Sequence, residues 1–153
     1  MSNFLKPYNR LKMLPLGKWL FSKGVGLRAP YFSSIRPSVQ EYRAGHAEVR
    51  IADRRRVHNH IGTVHAIALC NLAELCAGLT IDSLMPEHLR WIPQGMTVRY
   101  VKKAQGTITG KCSLEPDDIQ EGAVIVPVSA FNPQGELVFE ARIDFYVSRK
   151  KPS

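Results

Sequence analysis

The sequence predicts one α+β domain: an antiparallel curved sheet wrapped around a long central helix, with an N-terminal helical extension. Three observations predict it. A stretch at about residues 63–80 is almost free of charge and reads as a buried helix. Strand-like segments follow it, and in the last of them Leu137, Phe139, Ala141, Ile143, Phe145 and Val147 share one face in a clean period of two. At 153 residues, with 44% hydrophobic and 22% charged side chains, the chain has room for one real core. Four hairpin-linked strands can curve, and the apolar helix is the natural filler of their concave face.

The elements follow in order. Residues 4–28 set Leu5, Leu11, Leu14, Leu16, Trp19 and Leu20 among lysines, which reads as one or two basic amphipathic helices broken or kinked at Pro15 and ended near Gly24 or Gly26. Packing across the body of the same protein is preferred to a membrane-surface role, because the apolar stripe is short. Residues 29–38 read as loop, so the division is an extension over 1–38 and a sheet-and-helix domain over 39–150. One strand is expected at about 40–52, where Ala47, Val49 and Ile51 alternate with His46, Glu48 and Arg50. The run Arg54, Arg55, Arg56 and a turn lead into the helix. Two strands, at 96–104 and 106–114, are joined around Gln105. Two more, at 122–131 and 136–147, flank Asn132-Pro133-Gln134-Gly135, a strong turn signal. Pro127 predicts a bulge or an edge position in its strand.

Composition narrows the function classes. No apolar run reads as a transmembrane segment, and no small-residue cleavage site follows the first basic residues. Three cysteines without a CxxC point to a reducing, cytoplasmic setting. The net charge of +8 and pI near 9.7 suit an anionic partner: nucleic acid, an anionic membrane surface, or a phosphate-bearing ligand such as coenzyme A. The arginine run lacks the interleaved aromatics of a stacking platform, so no nucleic acid is expected. His58, His60 and His65 lack acidic or thiol neighbours at a metal-like spacing, so no metal is expected. Gly106 to Lys111 has one residue too few for a phosphate loop, and Cys112 stands where Ser or Thr would bind magnesium.

The block from Asn59 to Gly78 is more informative. No Lys, Arg, Asp or Glu falls between Arg56 and Glu74, which places one carboxylate in the middle of an apolar helix. A carboxylate there loses hydration and must be paired, protonated or put to use. Pairing with an arginine such as Arg99 across an interface is the structural alternative.

Asn59, Gly62, Thr63, His65, Leu69, Leu72 and Glu74 resemble the signature of hotdog-fold acyl-CoA thioesterases of the phenylacetyl-CoA thioesterase type, over about residues 40–148. A hotdog branch with an N-terminal helical segment is similar too. The resemblance implies a homodimer, with a tetramer as a further option, acting on an acyl-CoA thioester held across the subunit interface. It implies no cofactor beyond the coenzyme A of the substrate. Carried over, Glu74 is base or nucleophile, Asn59 positions the carbonyl or the water, the backbone N–H of Ala66 donates to the oxyanion, and His65 supports the helix start. Gly62 and Thr63 fall on the substrate side. Ala66-Ile67 replaces the family's Gly-Gly, so Ile67 would narrow or reshape the acyl pocket. Lys102, Lys103 and Arg54 to Arg56 are candidates for the coenzyme A phosphates. Two alternatives stand beside hydrolysis: a hydratase or dehydratase on acyl thioesters, prompted by His60 fourteen residues before Glu74, and a non-catalytic acyl-CoA-binding module, prompted by the Ala66-Ile67 departure.

Overall fold

A computed structural model describes residues 4–151. Two helices open the chain, α1 (Leu5–Leu11) and α2 (Gly17–Arg28). The break falls at Pro15, as expected, and Leu16 turns the corner with a φ of 61°. Neither Gly24 nor Gly26 ends α2, which runs on to Arg28. Residues 30–35, expected as loop, form a 3-10 turn.

The single strand expected at 40–52 is a hairpin, β1 (Ser38–Arg43) and β2 (His46–Ile51). Arg43 pairs with His46, leaving Ala44-Gly45 as a two-residue turn with Gly45 at φ +70°. Apolar residues lie on both sides of the reversal, so the residue pattern hides it. The long helix α3 spans Ala66–Leu84, a few residues later than predicted at both ends. It stops at Met85, the residue before Pro86, where helical backbone is disfavoured.

Four strands complete the chain: β3 (Leu89–Tyr100), β4 (Ile108–Ser113), β5 (Gly122–Phe131) and β6 (Leu137–Arg149). All pairings are antiparallel, in the order β1-β2-β4-β5-β6-β3. The expected pairing around Gln105 does not form. β3 pairs with β6, whereas β4 lies between β2 and β5. The chain leaves β3 at Tyr100 because the N–H groups of Val101 and Lys102 both donate to Val138 O, and Val64 N–H then captures Ala104 O at 2.8 Å. The β5–β6 hairpin forms where predicted, its turn held by Asn132 Oδ1, which accepts from Gln134 and Glu136 N–H. Pro127 faces Arg142 of β6, one residue past the last pair with β4 at Val128, so its missing donor falls where the strand is paired on one side.

The concave face holds α3, whose Leu69, Leu72, Leu75, Cys76 and Leu79 are buried. Gly110 of β4 lets the helix come close: a Cβ there would lie 2.9 Å from Cys76 Sγ and 3.0 Å from Leu72 Cγ. By length and composition α3 could cross a membrane, but most of it is enclosed by this sheet. The extension adds to the same core. Tyr8, Phe21 and Tyr42 stack edge and face with centroids 5.0 to 5.9 Å apart. Along the outer side of β1, Val39 N–H donates to Ser22 Oγ at 2.9 Å and Lys18 Nζ donates to Gln40 O at 2.6 Å.

Candidate functional site

The entrance to α3 is a small hairpin-like loop. His65 N–H donates to Val57 O at 2.7 Å, and His58 bridges Val64. Asn59 organises the tip. Its Oδ1 accepts from the N–H groups of Ile61 and Thr63, both at 3.1 Å, and its Nδ2 donates to Thr63 Oγ1 at 2.8 Å. Thr63 is buried beneath, and Gly62 takes a φ of +76°, which a side chain would disfavour. His60 is exposed on this tip. Asp53 ties the loop to the next connection: one carboxylate oxygen meets His58 Nε2 and the other accepts from Gly106 N–H at 2.7 Å. The His58 hydrogen bond, with help from Gly106, holds the Asp53 carboxyl below its ordinary range.

His65 caps α3. Its Nδ1 accepts from Ile67 N–H at 3.0 Å, and its carbonyl takes the N–H groups of Ala68 and Leu69. The Ala66 N–H is left without an acceptor among the described residues. It points out of a helix start, where backbone dipoles favour negative charge.

Glu74 sits two turns further along. Residues four apart share a helix face, so Cys70, Glu74 and Gly78 form one line, with Ile67 at its exposed start. Cys70 Sγ lies 3.5 Å from Tyr100 Oη, a contact that, with burial, pushes the Tyr100 hydroxyl up to about 12. At the other end the Trp91 ring lies against Gly78, where a Cβ would meet it at 3.4 Å. Glu74 is half-buried, and no hydrogen bond or ion pair reaches its carboxylate among the described residues. Arg99, a suggested partner, is engaged by Glu140 of the neighbouring strand.

The basic candidates reach the loop from two sides. Arg54 donates from Nη2 to Ile35 O at 2.8 Å; burial first, and the charges of Arg36 and Arg56 next, draw its guanidinium below the ordinary value. Arg55 and Arg56 are exposed, and Arg56 lines a small cavity of about 180 Å³ with His58, His65, Ser34 and Asn71. The buried Asn71 Oδ1 has no hydrogen-bond partner there. On the other side Lys102 is paired with Glu136 at 2.7 Å, whereas Lys103 is exposed and unpaired among the described residues. Sequence reasoning missed Arg36, Tyr100 and Trp91. Tyr100 and Trp91 stand at the ends of a strand whose partner it misjudged, and Arg36 lay in a segment read as loop.

A family model described as a domain of unknown function (DUF4442) matches residues 17–147. No curated protein matches. A structural-genomics crystal structure is 43% identical, covers 96% of this chain and 99% of its own, and superposes with a TM-score of 0.86. A Pseudomonas aeruginosa protein of unknown function described as a probable thioesterase is 21% identical over 82% of this chain and 91% of that one, with a TM-score of 0.75. A Bacillus halodurans protein crystallised with CoA is 20% identical over 66% of each chain, with a TM-score of 0.61. What these last two share with the chain is the fold, and the helix wrapped in a curved antiparallel sheet is the hotdog fold.

Proposed function

The chain belongs to the DUF4442 family, and we propose that it is an acyl-CoA thioesterase in which Glu74 activates the attacking water or attacks the thioester itself. The observation that carries the reading is the Glu74 carboxylate, half-buried on an apolar helix and without a partner among the described residues. A group so placed is available as a base. In the water route Glu74 takes a proton from water as the oxygen bonds to the carbonyl carbon. The carbonyl electrons move onto oxygen, where the Ala66 N–H stabilises them. Collapse breaks the C–S bond, and the thiolate leaves with the proton as free thiol. The neighbours described as a probable thioesterase and as crystallised with CoA are compatible with this chemistry.

The reading requires two copies. Ala66 and Glu74 are eight residues apart on α3, which is about 12 Å along the axis. One carbonyl cannot touch both on the same chain. β3 supplies the means: twelve residues long, it is an edge strand with no strand on its outer side among the described residues. Pairing along β3 would set Glu74 of one copy opposite the Asn59–Ala66 loop of the other. Arg36, the Arg54 to Arg56 run and Lys103 gather around that loop, which suits the phosphates of coenzyme A. Lys102 contributes less, because Glu136 holds it.

The test is thiol release from short, long and aromatic acyl-CoAs. Wild type should hydrolyse at least one of them, and Glu74→Gln should lower kcat by about 100-fold or more with an unchanged circular dichroism spectrum. Equal turnover in the variant would remove Glu74 from the mechanism.

A further inference from the structure

The charge of this chain is segregated. Seven of its 21 basic residues and none of its 13 acidic ones lie in residues 1–40, so the first acid is Glu41 and the extension holds +7 of the net +8. The remainder of the protein is almost neutral. Such a distribution gives the extension a field of its own.

The helix α2 carries two apolar stripes on opposite sides. One, with Phe21, Ser22, Val25 and Gly26, is buried against the body of the protein. The other begins at Leu16 and continues through Leu20 to Leu27, which are 75%, 45% and 83% exposed. At about 100° per residue these three leucines fall within one narrow sector, opposite the buried one. Trp19 flanks them, and Met13 and Leu14 extend the stripe into the turn before α2, all more than half exposed. Lys23 borders it on α2, Arg28 follows at the end of that helix, and Lys12 precedes Met13 in the turn with its ammonium 5.9 Å from the Tyr8 ring centroid; none of the three has an acidic partner among the described residues. The Lys23 ammonium lies over the Trp19 ring, 5.5 Å from its centroid, so the cation and the indole sit side by side.

We propose that this outward stripe docks the protein onto an anionic lipid surface, with Leu16, Leu20 and Leu27 entering the acyl boundary and the flanking lysines and arginine meeting the headgroups. Charge complementarity decides the occupant. A second copy of the chain would bring +7 against +7, whereas an anionic bilayer attracts both the charge and the leucines. An indole beside a lysine is a side-chain pair that settles at the headgroup level. The helix lies in the interface rather than crossing it, since its inner stripe remains on the protein.

Co-sedimentation with phosphatidylglycerol–phosphatidylcholine vesicles tests this, with pure phosphatidylcholine as the reference. The expected result is binding to the anionic vesicles, weakened by salt, with a blue shift of tryptophan emission that Trp19→Phe removes and the remaining Trp91 does not supply. Leu20→Glu with Leu27→Glu should lower the partition at least about tenfold. Lys12→Glu with Lys23→Glu, a second pair that spares every leucine, should lower it by a similar factor. The melting temperature of each variant reports folding. Failure of the wild type to bind anionic vesicles at low salt would overturn the proposal. So would a leucine variant that binds as before, or one whose only change is a halved mass in sedimentation, which would make the stripe a contact between copies.

Discussion

Ala66 occupies the first position of α3, a place where proline is tolerated because the N–H it lacks has no helical partner. The preceding His65 already has the extended backbone, ψ 140°, that proline demands of its neighbour. Ala66→Pro therefore deletes one N–H with little else disturbed. If that N–H serves the oxyanion, kcat should fall about 100-fold while the melting temperature stays within a few degrees. Asp53 offers a pH test. Its folded pKa is depressed, so its contribution to stability is complete above the unfolded value and is lost as pH falls through the folded one. The difference in melting temperature between wild type and Asp53→Asn should be largest above about pH 5 and shrink toward pH 3. Asn59 shows where residue-level reading stops. The sequence marks it as special, yet its carbonyl oxygen and one amide hydrogen serve its own loop, an Asx-type arrangement that asparagine also adopts where there is no site.

Among the elements, α3 and β4 approach one another closely at Gly110. Gly110→Ala would put a methyl group against Cys76 Sγ and Leu72, where neither the helix backbone nor the sheet can retreat freely. The expected loss is about 1–3 kcal/mol, read from the denaturant midpoint at constant slope. The element types were legible: α3 from its uncharged apolar run, β6 from its alternation, the β5–β6 hairpin from Asn132 to Gly135. Pairing was not. Alternation reports which face of a strand is buried and says nothing about its neighbour, so the connection around Gln105 looked like a hairpin turn. The reversal at Gly45 escaped for a related reason, since apolar residues continue on both sides of it.

At the scale of the whole molecule the proposed site is half a site, and what residue order hides is the edge strand β3 that would join two copies. Glu74 and Ala66, eight residues apart in a helix expected at about 63–80, already stand about 12 Å apart along its axis, too far to meet one carbonyl on one chain. That predicts complementation. Glu74→Gln and Ala66→Pro chains, unfolded together and refolded at equal concentration, should recover about a quarter of wild-type turnover, because half the pairs are mixed and each mixed pair has one intact site. Additive, inactive mixtures would place both groups on one chain or outside the mechanism. The two rims of the sheet also differ. On β1 the outward Val39 N–H and Gln40 O are already bonded to Ser22 and Lys18 of the extension, whereas β3 has no strand on its outer side among the described residues. A strand that joins β3 to β3 consumes that rim of both chains and leaves two sealed ends. Ordered growth into filaments then has no template to continue from, and assembly by strand addition terminates at a pair.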